Sequence, residues 1–242
     1  MTFSSPSPGT LYGISAGPGD PELISLKGLR ILQRVSYVAF PAGTNGRPGI
    51  AEQIVTPWLR PEQKCLPLAF PYVRDADILT PAWEAAATTL WQYLDRGEDV
   101  AFVTEGDASF YSTLTYLSRT LRQLYPSATV ETIPGVTSPL AAAAALGLPL
   151  TSGSQRLAVL PALYHIEELE AAMDWADVVV LMKVGSVYDR VIPVLQRRQL
   201  LDRAYAVERA TWPQQVVYRP LLPDLKLSYF SLLVVEIRGS IV

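Results

Sequence analysis

Leu11-Tyr12-Gly13-Ile14-Ser15-Ala16-Gly17-Pro18-Gly19-Asp20-Pro21 is the stretch from which the fold of this chain can be read. Its first five residues are small or apolar and read as a strand. The Gly-Pro-Gly that follows cannot continue one, and across 22–33 Leu23, Leu26, Leu29 and Ile31/Leu32 recur at helical spacing. Strand, glycine-rich loop and helix in immediate succession are the opening of an α/β unit.

The same grammar repeats outward from it. Strands are predicted at 37–40, 99–103 and 129–133, a further short strand around Cys65, and helices over 50–59, 80–96, 110–124 and 137–146. Such alternation predicts parallel strands joined by crossover helices. After Pro134-Gly135 the pattern changes: strands at 157–160, 178–182, 204–208, 215–218 and 229–237, with helices starting at His165 and over 187–197. The last strands have no long helix between them, which predicts a mixed sheet with antiparallel members. The length, 242 residues, suits one large domain or two smaller ones. The change of character favours two, an α/β domain at 1–134 and a second at 135–242.

Composition removes several chemistries. With 49% hydrophobic and 18% charged residues the chain has ample core material. One histidine, His165, cannot build a histidine-based metal site, and its place at a helix start reads as surface or cap. No metal site is expected. One cysteine, Cys65, forbids an intrachain disulfide and is expected to be a small buried apolar residue, in keeping with a cytoplasmic location. Residues 1–9 are rich in Ser and Pro and read as a flexible arm without a targeting signal; the apolar stretch 139–150 is too short to span a membrane. A net charge of −3 lacks the footprint of a nucleic-acid binder.

Three segments share one design, an apolar strand ending in glycine and small or acidic residues just before a helix: Gly17-Pro18-Gly19-Asp20, Glu105-Gly106-Asp107-Ala108-Ser109 and Pro134-Gly135-Val136-Thr137-Ser138. At the carboxyl ends of strands glycines let backbone approach a ligand, and helix starts offer free N–H groups. Taken singly, Asp20, Asp107 and Thr137 are equally what helix caps use. Three together mark one site. No G-x-G-x-x-G or G-x-x-x-x-G-K-[ST] occurs, so neither a dinucleotide nor a P-loop reading has its defining residues. Proline between Gly17 and Gly19 suits a ligand held by backbone and van der Waals contact rather than a phosphate nest.

These residues carry a family resemblance. Gly17-Pro18-Gly19-Asp20-Pro21-Glu22-Leu23-Ile24-Ser25, then Glu105-Gly106-Asp107 with Phe110-Tyr111-Ser112-Thr113, then Ile133-Pro134-Gly135-Val136-Thr137-Ser138 resemble the tetrapyrrole methylases, S-adenosylmethionine-dependent enzymes of cobalamin and sirohaem synthesis. Phe110-Tyr111-Ser112-Thr113, the 37–41 strand, Leu181-Met182-Lys183 and Val207-Glu208-Arg209-Ala210-Thr211 are most similar to the precorrin-2 C20-methyltransferase branch. The resemblance implies two α/β domains, the first sheet mainly parallel and the second mixed, with a ligand trough between them. It implies a homodimer that binds S-adenosylmethionine, releases S-adenosylhomocysteine and methylates a tetrapyrrole, free of nucleic acid and membrane. It gives to the donor Pro18, Glu105, Gly106, Asp107, Phe110, Thr137, Ser138, Met182 and Ala210. Phe110 and Met182 are also what a plain core uses, and Asp107 what a cap uses. Two departures stand out: Ala108-Ser109 follow Gly106-Asp107 where Gly-Asp-Pro is usual, and Phe40 stands where uroporphyrinogen methylases carry an Asp, which counts against that acceptor.

A methyl on a positive sulfur needs no nucleophile from the protein, and by the resemblance carbon 20 of precorrin-2 or cobalt-precorrin-2 attacks it in line and later loses a proton. Glu105, Tyr111 and Glu208 are the candidates by position for taking that proton. The acceptor's carboxylates call for cations, and Arg47, Arg74, Lys183 and Arg209 are the candidates, with solvated surface charge the alternative for each. Other acceptors of the same family (another corrinoid precursor, uroporphyrinogen III, a diphthine-type protein or ribosomal RNA) and a non-catalytic ligand-binding protein are the competing readings.

Overall fold

The computed structural model describes residues 7–44, 47–71, 73 and 75–238, and the chain divides into two compact units, Met1–Val136 and Thr137–Val242. In the first, five strands, β1 (Thr10–Ser15), β2 (Tyr37–Pro41), β3 (Lys64–Leu68), β4 (Val100–Thr104) and β5 (Thr129–Ile133), form an all-parallel sheet in the order β3-β2-β4-β1-β5. β4 lies in the middle and is buried along its whole length, as a parallel strand covered on both faces must be.

Helices α1 (Leu26–Arg34), α2 (Ile50–Val55), α3 (Ala76–Leu94) and α4 (Thr113–Leu124) cover this sheet. Their starts differ from the periodicity reading because side-chain caps, not apolar spacing, choose the first turn. Asp20 Oδ1 accepts the Glu22 N–H and closes a short 3-10 turn, Pro21–Leu23, and α1 begins only after Ser25, whose Oγ accepts from Gly28 N. Asp75 Oδ1 accepts from Asp77 N and starts α3 at Ala76, so that Pro81 falls inside the helix. Ser112 Oγ accepts from Leu114 N, and α4 starts at Thr113, leaving Phe110 and Tyr111 in the loop. One face of the sheet, with Phe102, Val100 and Leu11, packs on Leu90 and Leu94 of α3 and Leu114, Leu117 and Leu121 of α4.

Cys65 is exposed rather than buried. β3 is an edge strand, and alternation turns Leu66 and Leu68 inward and Cys65 to the other face. Partial burial and the charge of Glu52 push its thiol pKa up, away from a reactive thiolate.

The second unit holds a mixed sheet of β6 (Leu157–Leu160), β7 (Val178–Met182), β8 (Ala204–Glu208), β9 (Val216–Tyr218) and β10 (Ser231–Glu236) in the order β6-β7-β10-β8-β9. β6 and β7 are parallel; β10 runs antiparallel to β7 and β8, and β9 antiparallel to β8. Helices α6 (Ile166–Trp175) and α7 (Tyr188–Arg197) bury Leu169, Met173, Val191 and Leu195 against one face. The alanine-rich α5 (Ser138–Leu146) packs against β8 and β10 and ends at Gly147, whose φ of 67° permits the left-handed cap. Among the described residues no helix is long and apolar enough to cross a membrane.

Candidate functional site

The helices after β1 and β4 lie on opposite faces of the first sheet. A Cβ at Gly28 of α1 would stand 3.3 Å from Ile14, whereas one at Gly13, on the opposite face, would meet Leu114 of α4 at 2.1 Å. β1 leads leftward to β2 and β4 leads across β1 to β5, so the neighbouring pair β1/β4 is a topological switch point, where open α/β sheets bind ligands beyond the carboxyl ends of their strands.

The three segments singled out in the sequence meet there. Gly17 and Gly106 form an antiparallel bridge through Gly17 N to Gly106 O, 3.1 Å, and Gly106 N to Gly17 O, 2.8 Å. Ser15 Oγ donates to the Ile133 carbonyl at 2.6 Å and accepts from Ala108 N at 2.8 Å. Asp107 Oδ2 accepts from Gly135 N at 2.7 Å, and its Oδ1 accepts from both the backbone N–H, 2.7 Å, and the hydroxyl of Ser109. The loop after β4 is thus bonded to both of the others, and Ser15 joins the ends of β1 and β5. Gly135 is required by closeness: a Cβ there would lie 2.4 Å from Ser15 Cβ.

Burial pushes the Asp107 carboxyl up, but the hydrogen bonds from Ser109 and Gly135 outweigh it and hold the group below the usual carboxylate range. Gly17 and Gly106 take φ values of 79° and 66°; a Cβ added at Gly17 would meet Leu23 at 3.0 Å, whereas one at Gly106 would meet nothing within 4 Å, so the backbone at Gly106 presents an open side to a ligand. Pro18 and Phe110 are half-buried, Glu105 and Tyr111 exposed; Tyr111 takes a φ of 52° and meets Phe110 edge to face at 4.6 Å. A glycine-lined rim of this kind fits a ligand held largely through main-chain groups.

In the second unit, Thr137 stands at the N-cap of α5 but makes no side-chain cap bond, and Ser138 opens the helix; both are half-buried. Met182 closes β7, paired with Leu232, and is followed by Lys183 at φ 57° with its Nζ 5.3 Å above the Tyr229 ring. β8 ends at Glu208, followed by Arg209 at φ 48°, buried Ala210 and Thr211 at φ 71°. Since β10 lies between β7 and β8, these two strand ends stand about 10 Å apart. Glu208 accepts from Tyr218 Oη at 3.0 Å and Ser228 N at 3.1 Å. Burial pushes its pKa up, and these bonds with the nearby Arg209 charge more than reverse that, so it is a weakened base. Tyr218 is shifted upward by its burial and by the same carboxylate.

Arg47 is exposed in the loop between β2 and α2, its N–H on the Thr44 carbonyl at 3.1 Å. Arg74 lies outside the described residues. His165 is exposed at the N-cap of α6 without a cap bond, and among the described residues no group of three or more His, Cys, Asp or Glu could hold a metal ion. Sequence reasoning missed one residue at these rims, Ser15. The only local signal of Ser15 is a hydroxyl closing an apolar strand.

Comparison with known proteins agrees with this architecture. Residues 10–226 match the family model of Tetrapyrrole (Corrin/Porphyrin) Methylases, and the chain belongs to that family. It is 37% identical to the cobalamin biosynthesis protein CobIJ of Mycobacterium tuberculosis over 93% of its own length but 45% of that protein, so it spans about half of that relative. It is 34% identical to the cobalt-precorrin-2 C(20)-methyltransferase of Salmonella typhimurium, covering 94% of this chain and 96% of that one. Among solved structures, a cobalt precorrin-4 methyltransferase superposes with a TM-score of 0.74 at 22% identity, covering 94% of each chain. A uroporphyrin-III C-methyl transferase from Thermus thermophilus, complexed with S-adenosyl homocysteine, superposes with a TM-score of 0.65 at 22% identity over 94% of this chain and 97% of that one.

Proposed function

We propose that this chain is an S-adenosylmethionine-dependent C-methyltransferase that adds one methyl to carbon 20 of precorrin-2, or of its cobalt-containing counterpart, in cobalamin biosynthesis. The observation that supports this reading most is the set of joined, glycine-lined loops at the β1/β4 switch point, in a chain matched over nearly its full length by a relative named for C(20) methylation. The donor contacts in this reading are Pro18, Glu105, Gly106 and Phe110 in the first unit, and Thr137, Ser138, Met182 and Ala210 in the second, with Asp107 beside them.

When bound, S-adenosylmethionine supplies a methyl already activated by its positive sulfur. The chain's own contribution is then placement, and correct alignment of two reactants is worth on the order of 7–11 kcal/mol. Main-chain groups of the glycine-lined loops orient the donor, and the Lys183 and Arg209 cations, with Arg47 and Arg74, take the acceptor's carboxylates. Of the groups considered for the carbon-20 proton, Glu208 is weakened as a base because its hydrogen bonds favour the ionised form. Glu105 and Tyr111 remain the candidates. A homodimer working in the cytoplasm belongs to the same reading, and sedimentation of the purified protein tests its dimeric part.

Anaerobic incubation with S-adenosylmethionine and, separately, metal-free and cobalt-containing precorrin-2, read by mass and NMR, is the test. One added methyl at carbon 20 is expected, and the better acceptor identifies the route. Methylation of neither acceptor, with S-adenosylhomocysteine still bound, overturns the substrate and leaves the other acceptors of the family. Arg47→Ala is expected to weaken tetrapyrrole binding more than donor binding; equal loss for both would remove Arg47 from the acceptor site.

A further inference from the structure

Gly17, Gly106 and Gly135 line the rim of the first unit, and glycine is the residue with most conformational freedom to lose when a ligand orders it. A rim built this way binds well only if something else holds it still beforehand. Two buried polar side chains meet that need. Ser15, 1% exposed, joins the ends of β1 and β5 and the loop after β4 through Ile133 O and Ala108 N. Asp107, 7% exposed, holds Gly135 N on one oxygen and Ser109 on the other. Both Asp107 oxygens are engaged within the protein, which separates its role from that of a group spent directly on a ligand.

We infer that Ser15 and Asp107 are positioning residues for the methyl donor: they tie the three glycine loops into a prearranged rim and act on the donor through that backbone. This rests on the donor-site reading above and deepens it, since it adds Ser15 to the site and moves Asp107 from contact to brace. The Asp107 bonds are charge-assisted and so the stronger of the two ties. Asp107→Asn keeps the shape but turns an amide N–H₂ toward one of the present donors, Gly135 N or Ser109. Ser15→Ala removes the hydroxyl that bonds the Ile133 carbonyl and the Ala108 N–H.

The test is calorimetric binding of S-adenosylhomocysteine and steady-state kinetics for the wild type, Asp107→Asn, Ser15→Ala, Ser109→Ala and the Ser15→Ala/Asp107→Asn double variant. Ser109 is exposed, so its variant keeps the readout alive if the buried ones fold poorly. Asp107→Asn is expected to weaken binding about tenfold or more and Ser109→Ala about threefold. The loss should fall on the donor KM rather than on kcat or the tetrapyrrole KM. The double variant should lose less than the product of the two singles, because both ties hold one rim. Folded variants with wild-type donor affinity, or a fall in kcat at unchanged donor KM, overturn the brace while leaving the donor site intact. A wild-type chain that binds no S-adenosylhomocysteine overturns the donor site itself, and the brace with it.

Discussion

The two sheets end their central strands in opposite ways. In the first unit the positive-φ residues at the β1 and β4 ends are Gly17 and Gly106, and the side chains there, Ser15 and Asp107, turn inward to bind backbone. In the second, the residues just past β7 and β8 are Lys183 and Arg209, both left-handed and both exposed, with Thr211 left-handed two residues on. A left-handed conformation costs a residue with a Cβ roughly 1–2 kcal/mol, which glycine avoids. The first rim therefore offers bare backbone, whereas the second accepts strain and projects cationic side chains. One arrangement suits a ligand read by main-chain groups, the other a ligand with carboxylates to neutralise.

The strongest way to break this contrast is to give the first rim a side chain. Gly135→Ala puts a Cβ 2.4 Å from Ser15 Cβ and should destabilise the protein by about 1–3 kcal/mol in urea unfolding, with loss of S-adenosylhomocysteine binding. Wild-type stability would show that the loops are not held as closely as the hydrogen bonds imply. Next in size, Glu208→Gln disturbs the bonds from Tyr218 and Ser228 and should cost about 1 kcal/mol while methyl transfer persists at neutral pH. Abolished turnover in a folded variant would return Glu208 to the role of base. Arg209→Gly relieves the left-handed strain and should raise stability by up to about 1 kcal/mol while weakening tetrapyrrole binding. A loss of stability would mean that its side chain, not its backbone, holds the turn.

The smallest effect is that of acid. Asp107 and Glu208 both have folded pKa values lowered below the ordinary carboxylate value. The stability they supply is fully present above the unfolded pKa and is lost as pH falls through the lower folded one, below about pH 4. Thermal midpoints of the wild type should therefore approach those of Asp107→Asn and Glu208→Gln as the solution is acidified. A gap independent of pH would assign the loss to packing instead of charge.

Much of the fold was legible because its signals are local. The run 11–15, Gly17-Pro18-Gly19 and the apolar β4 segment identify strand, loop and strand from pattern alone, and the lack of a long helix between the last strands already implied antiparallel pairing. Where caps compete with periodicity the reading slipped: Asp75 and Ser112 moved the starts of α3 and α4, and with the latter took Phe110 and Tyr111 out of a helix. Cys65 was misjudged because composition says that cysteine is usually buried but not that β3 is an edge.

By itself, then, the sequence determined the succession of strands and helices, the change from a parallel to a mixed sheet, and which loops carry glycine, since apolar period and backbone freedom are properties of neighbouring residues. Only the tertiary structure decided the order β3-β2-β4-β1-β5, which sets β1 between β4 and β5. That order brings Ser15 to Ile133, 118 residues away, to Ala108, 93 away, and Asp107 to Gly135, 28 away. Hydrogen bonds over such separations leave no periodic trace in a chain, because they are selected by strand pairing and not by anything adjacent to the residues that make them.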